Sequence, residues 1–415
     1  MRPAGPADIG YHRKLVNLAI AMPPSSINKP SRHSDAPRSG ARRIHGLDTL
    51  RALAVTFVVL HHYTLFVSER STFGWFGDVG WVGVDLFFAL SGYLIGNQIF
   101  AAMASPEGFA PGRFYARRLL RTLPNFYVVL ALYYCWPWFR DGMTMLPAWR
   151  FLSFTQNIGL LAGTGFSHAW SLCIEEQFYM LLPALALLVA AHKRSLRMAW
   201  CAIGAGLALG LAARAWFWLH EVEGQQRGLA HYYTFIYYSS LCRLDELLAG
   251  VALALLKNFH KDLWARLVRR GDFATVAGVL VLGLVFAWSL HDRYAFGVTL
   301  FGYPLLALGF GLLVLAALDP SSRLGAIRVP GAERLALWSY AIYLVHKQVC
   351  ILAARPFADA GYGPESALTI GACLALSVAC GALLYYLVES PFMALRTRFV
   401  PQAPSPAVSA SLQSH

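Results

Sequence analysis

Residues 46–66 read GLDTLRALAVTFVVLHHYTLF, an apolar run with an arginine near its start and a histidine pair near its far end. It is long enough to span a bilayer, which takes roughly 20 mostly apolar residues. A polar side chain in such a segment must face other protein or a water-filled cavity, because hydrocarbon offers it no partner. On a helix turning about 100° per residue, Arg51 and His62 lie within ~20° of one face and ~16 Å apart along the axis. Asp48, Val55 and Val58 share that face, whereas His61 falls about 80° away. The face carrying Arg51 and His62 is a candidate functional face, and a histidine hydrogen-bonded between helices is the equal alternative.

Nine further apolar stretches follow, at 80–102, 123–139, 168–190, 198–219, 232–256, 273–290, 297–317, 336–354 and 366–387. Only 14% of the chain is charged and 57% is hydrophobic, whereas a soluble domain is about a quarter charged. The expected fold is an all-α, polytopic membrane helix bundle of about ten transmembrane helices. The net charge of +13 does not indicate nucleic acid, because the basic residues sit between apolar spans instead of on a folded soluble surface. The seven cysteines are scattered through apolar segments without a CxxC pair, so neither a metal nor a disulfide framework is expected.

The connections alternate in basicity. Twenty-five of the 35 Lys and Arg fall on one set, which includes both termini, and six on the other. Lys and Arg favour the cytoplasmic side, so both termini are expected in the cytoplasm. Reporter fusions after residues 20, 195, 265 and 405 should then all read as cytoplasmic, and a periplasmic signal from any of them would overturn the arrangement. Residues 1–44, rich in Pro, Ser, Arg and Lys, are expected to form a disordered basic arm. The leader-like run LVNLAIAM within it is brief and interrupted by Asn, and no cleavage is expected. Residues 45–392 form the membrane domain and 393–415 a disordered cytoplasmic tail, with no soluble domain expected after the last span.

Polar residues recur inside the spans. HAWSLCIEEQFYMLLP places His168, Ser171, Glu175 and Tyr179 at near-helical spacing, with Glu176 on the neighbouring face. Adjacent carboxylates at the mouth of an apolar helix are costly unless paired. They either orient a nearby imidazole or arginine, or join helices through an ion pair. Arg243, Asp245 and Glu246 lie in LCRLDELLAGVALALL, and His346 and Lys347 in SYAIYLVHKQVC. In both groups a structural salt bridge competes at least equally with a catalytic role, an interfacial position also suits His346, and Arg214 reads as structural. Arg113, Arg117, Arg118 and Arg121 precede Pro124 on the basic side. Such a run sets topology, and it also suits a phosphate-rich cytoplasmic ligand. No GxxxxGK[ST], Rossmann glycine pattern, HExxH or GxSxG occurs, so nucleotide hydrolysis, hydride transfer, zinc hydrolysis and a serine nucleophile lack their signatures.

The strings GLDTLRALAVTFVVLHH, GVDLFFALSGYLI, FYARRLLRTLP, HAWSLCIEEQFY, RLDELLAG, SYAIYLVH and ESPF resemble, in order and spacing, the acyltransferase-3 family. Its members are integral membrane O-acyltransferases of bacterial surface glycans, peptidoglycan, lipo-oligosaccharides and macrolides, and the likeness runs from about residue 45 to 392. The resemblance implies a hallmark Arg and a His ten intervening residues later, here Arg51 and His62. It also implies a donor taken from cytoplasmic acyl-CoA, most simply acetyl-CoA, which makes Arg113, Arg117, Arg118 and Arg121 a candidate donor-binding surface. Departures are Ala52 for a frequent Gly, Lys347 and Gln348 where Trp-Pro is frequent, and Ser390 in the closing motif.

The expected activity is transfer of an acyl group from acyl-CoA to a hydroxyl of an envelope glycan or lipid-linked sugar, in the bacterial inner membrane. His62 is the candidate general base. Arg51 is expected to hold a donor phosphate or developing negative charge, and Glu175 or Glu176 to steady the imidazolium. His168, Ser171, Arg243 and Asp245 are candidate substrate contacts. An acyl-histidine route is the chemical alternative. A transporter or flippase using the same buried charges is the functional one, although no paired broken spans in matching halves are seen. A structural scaffold would leave the buried charges without a task.

Overall fold

The structure, a computed structural model, describes residues 43–400. The arm to residue 42, its leader-like run and the tail from 401 lie outside the described residues. Among the described residues every regular element is helical. The long helices are α1 (His45–Tyr63), α2 (Gly83–Met103), α3 (Pro111–Cys135), α4 (Trp170–Ala190), α5 (Ser195–Phe217), α6 (Asp245–Phe259), α7 (Gly271–Ser289), α8 (Phe296–Ala317), α9 (Ala332–Asp359), α10 (Ala367–Leu384) and α11 (Ser390–Phe399).

Among the described residues eight stretches, built on α1, α2, α4, α5, α7, α8, α9 and α10, are long and apolar enough to cross a membrane. The other two expected spans fall on less regular ground. Residues 123–139 belong mostly to α3, which starts at Pro111 and carries four arginines in its first half. Residues 232–256 break into a wide helical turn at Tyr232–Tyr237, a tight one at Leu241–Arg243, and then α6. The tail expected from residue 393 begins instead as α11, which continues to Phe399.

The bundle is organised on α1, which packs against α2, α8 and α9. Its apolar inward positions are closed off: Leu50, Val55 and Val58 are buried. Lipid tails are as apolar as leucine, so helices associate in a membrane through close packing instead of expulsion of water, and small residues let backbones approach. The α2–α6 seam shows this. A Cβ on Gly92 would lie 2.0 Å from the Leu247 carbonyl oxygen, and one on Gly250 2.3 Å from that of Ala89. The two backbones touch there, and Asp85 at the start of α2 meets Arg243 just before α6, Nη2 to Oδ1, at 2.5 Å.

Candidate active site

Three cavities adjoin through shared walls, the middle and inner of them along α1. The outermost, ≈ 620 Å³, is lined by Arg113, Arg117, Arg118 and Arg121 of α3 and by Arg396 of α11, with Glu107 as its one acidic lining residue. Arginines four and three residues apart share one side of a helix, so α3 presents its basic stripe to this space. Burial, and then the Arg113 guanidinium, pull Arg117 below the usual guanidinium range, as expected where like charges crowd without an anion between them. Arg117 also donates from Nη1 to the Val400 carbonyl at 2.5 Å.

Arg118, Arg121 and Gln98 also line a middle cavity of ≈ 150 Å³, with Arg51, Glu175, Glu176 and Tyr179. Here two carboxylates face three guanidinium groups. Arg118 lies 3.6 Å from Glu176 and 3.8 Å over the Tyr179 ring, and Ser91 donates to Glu175 Oε1 at 2.8 Å. The arginine run therefore divides: Arg113 and Arg117 stay at the mouth, while Arg118 and Arg121 form the wall between mouth and middle cavity.

Val84 and Tyr343 are shared by the middle cavity and an inner one of ≈ 40 Å³, which holds His61, His62 and His168. Its histidines have defined tautomers. His346 Nδ1 lies 2.9 Å from the Tyr343 carbonyl and 3.0 Å from that of Ile342. Carbonyl oxygens only accept, so His346 Nδ1 carries the proton and Nε2 the lone pair. His62 Nδ1, 2.6 Å from His346 Nε2, must then be the donor. The two rings are coplanar within 1°. His62 Nε2 is consequently left with its lone pair, the form a proton acceptor needs. His168 donates from Nε2 to the Leu344 carbonyl at 3.1 Å, which leaves Nδ1 bare, buried and without a hydrogen-bond partner among the described residues. Tyr343 fixes the wall by donating to the His168 carbonyl at 2.6 Å, so the Ser171 hydroxyl, also 2.6 Å away, donates to the Tyr343 oxygen.

The expected residues thus divide among these spaces. Arg51, Glu175 and Glu176 meet in the middle cavity and Ser171 lines it; His62 and His168 meet in the inner one. The partner ring of His62 is His346, whereas the carboxylates expected to steady it face the arginines. His61 turns aside, its Nδ1 2.9 Å from the Gly77 carbonyl. Arg243 and Asp245 line none of the three cavities. Arg243 pairs with Asp85, and Asp245 with Arg214 at 2.5 and 3.1 Å, all four fully buried.

His346 and Lys347 were missed as site residues. An interfacial position was expected for His346, but it lies near the middle of the expected span at 336–354 and equally of α9, Ala332–Asp359. An imidazole at the centre of an apolar span is a signal of function that the sequence already carried.

A family model described as an acyltransferase domain matches residues 44–386. The peptidoglycan O-acetyltransferase OatA of Listeria monocytogenes is 26% identical over 337 residues, covering 76% of this chain and 50% of that protein. The O-acetyltransferase OatA of Staphylococcus aureus is 25% identical over 332 residues, covering 75% and 51%. The chain thus spans about half the length of each of these two relatives. No solved structure matches.

Proposed function

The chain belongs to this acyltransferase family, and we propose that it is an O-acetyltransferase of the bacterial cytoplasmic membrane that moves an acetyl group from cytoplasmic acetyl-CoA to a hydroxyl of an envelope glycan. The observation that carries this reading is the succession of an arginine-lined mouth, the adjoining Arg51 cavity and the His62–His346 pair. Guanidinium groups suit phosphates, so the mouth fits the phosphates of a CoA. The long pantetheine arm of such a donor carries the thioester inward, past Arg51. The acceptor hydroxyl gives its proton to His62 Nε2 as its oxygen attacks the thioester carbonyl. The new C–O bond forms, the C–S bond breaks, and the proton leaves with the thiolate. His346 holds the ring by accepting from Nδ1, so that Nε2 faces the hydroxyl and the imidazolium keeps a hydrogen-bonded partner. Arg51 balances negative charge on the donor or at the developing oxyanion.

Arg113 and Arg117 test the donor side, because they line the mouth and not the middle cavity. The double variant Arg113→Gln/Arg117→Gln is expected to raise the donor KM, with each lost charge-assisted contact worth about tenfold or more, while insertion persists. Unchanged donor kinetics in an inserted double variant would overturn the donor site. The activity itself is read by glycan mass analysis of deletion and complemented strains. Loss of an O-acetyl group on deletion and its return on complementation are expected, and unaltered glycans would count against the assignment.

A further inference from the structure

The inner cavity differs from the middle one in charge. No Asp or Glu lines it or the adjoining aromatic cleft, with which it shares Trp81 and Tyr237. Two cations nevertheless border these spaces. Lys347 is 1% exposed; its Nζ donates to Ser167 Oγ at 3.2 Å and lies 4.1 Å over the Phe66 ring, and both residues line the inner cavity. Arg293 lines the cleft, donates to the Tyr233 hydroxyl at 2.6 Å and stacks 5.6 Å over Trp81 and 4.6 Å over Tyr294. Among the described residues neither cation makes an ion pair, whereas Arg118, Arg214 and Arg243 each face a carboxylate. A buried lysine whose only polar partner is one hydroxyl is costly in a membrane protein. An anion brought by the substrate would remove that cost.

Resting on the acyltransferase reading, we propose that the acceptor is an acidic glycan whose carboxylate binds Lys347 and Ser167 while the hydroxyl to be acylated lies at His62 Nε2. Two features make this cavity fit that class. The space of ≈ 40 Å³ admits a few water-sized groups, which is room for a carboxylate and a hydroxyl but not for a sugar ring. Around these few polar groups Trp81, Tyr233, Tyr237 and Tyr238 line the cavity, the usual pattern of apolar walls with few convergent polar groups. Arg293 adds a second positive charge on the aromatic side, so the field favours an anionic acceptor over its neutral counterpart.

The test uses the full chain in lipid nanodiscs, labelled acetyl-CoA, and two matched acceptors: an oligogalacturonide and the neutral oligogalactoside obtained by reducing its carboxyl groups. The wild type is expected to prefer the acidic acceptor in kcat/KM by about tenfold or more, the size of one charge-assisted hydrogen bond. Lys347→Met is expected to lose that preference through a raised KM for the oligogalacturonide, and Lys347→Arg to keep most of it. Ser167→Ala, which preserves the ammonium, is expected to keep a reduced preference and serves if Lys347→Met does not accumulate. Equal use of the two acceptors by the wild type, or an undiminished preference in Lys347→Met, would overturn the acidic subsite while leaving the acyltransferase reading intact. Transfer to neither, together with unaltered glycans in the deletion strain, would overturn both.

Discussion

Replacing His62 by glutamine is expected to lower the acyl-transfer rate by about 10² to 10⁴, the usual cost of losing a positioned general base. Glutamine keeps polarity and approximate size, and it can still donate toward His346, but it offers no nitrogen lone pair to the acceptor hydroxyl. His61→Gln is the internal control. His61 Nδ1 faces the Gly77 carbonyl at 2.9 Å, away from the His62–His346 pair, so that variant is expected to keep most of the rate. Both must first be shown at wild-type levels in the membrane, because the 2.6 Å link between α1 and α9 also holds the bundle. Normal turnover by His62→Gln would overturn the base assignment and pass the role to His168, whose buried Nδ1 has no hydrogen-bond partner among the described residues.

The geometry of α1 was legible in the sequence because helical periodicity is a local property: eleven positions return to nearly the same face, and Arg51 and His62 do border successive cavities along one helix. The all-helical membrane fold was legible for the same reason, since eight of the expected spans announce themselves by length and apolarity, whereas those at 123–139 and 232–256 do not qualify. What sequence alone could not give was the partner across the bundle. His346 reaches His62 from a helix far along the chain, and its place near the middle of its own span was the one local sign against an interfacial reading. Arg243 and Asp245 show a second limit. Residues two apart do not face each other on a helix, and here a tight turn ends at Arg243 before α6 begins at Asp245. One side chain is sent to Asp85 on α2 and the other to Arg214 on α5. The arginine run read as one surface divides similarly, because Arg113 to Arg121 on one helical face still span about two turns, ~12 Å of depth.

Breaking the Arg214–Asp245 pair is expected to have the largest effect on stability. Its contact is two-pronged, 2.5 Å from Nη1 to Oδ2 and 3.1 Å from Nη2 to Oδ1, with Nη1 also donating to the Cys242 carbonyl at 2.7 Å. Both side chains are fully buried. Arg214→Met strands the Asp245 carboxylate without its counter-charge, a change that typically costs about 3–5 kcal/mol, and its guanidinium no longer ties α5 to the turn before α6. Removing both charges is milder, because an apolar pair of similar volume leaves no stranded ion and is often near neutral. Arg214→Met with Asp245→Leu is therefore expected to recover most of the lost thermal stability of the purified protein in detergent. The same double variant separates a structural Asp245 from a substrate-binding one. If the pair only joins helices, the recovered protein transfers acyl groups with an unchanged acceptor KM. A raised KM in a protein of restored stability would return Asp245 to the substrate, and failure of the second substitution to restore stability would show that the pair is not what Arg214→Met had broken.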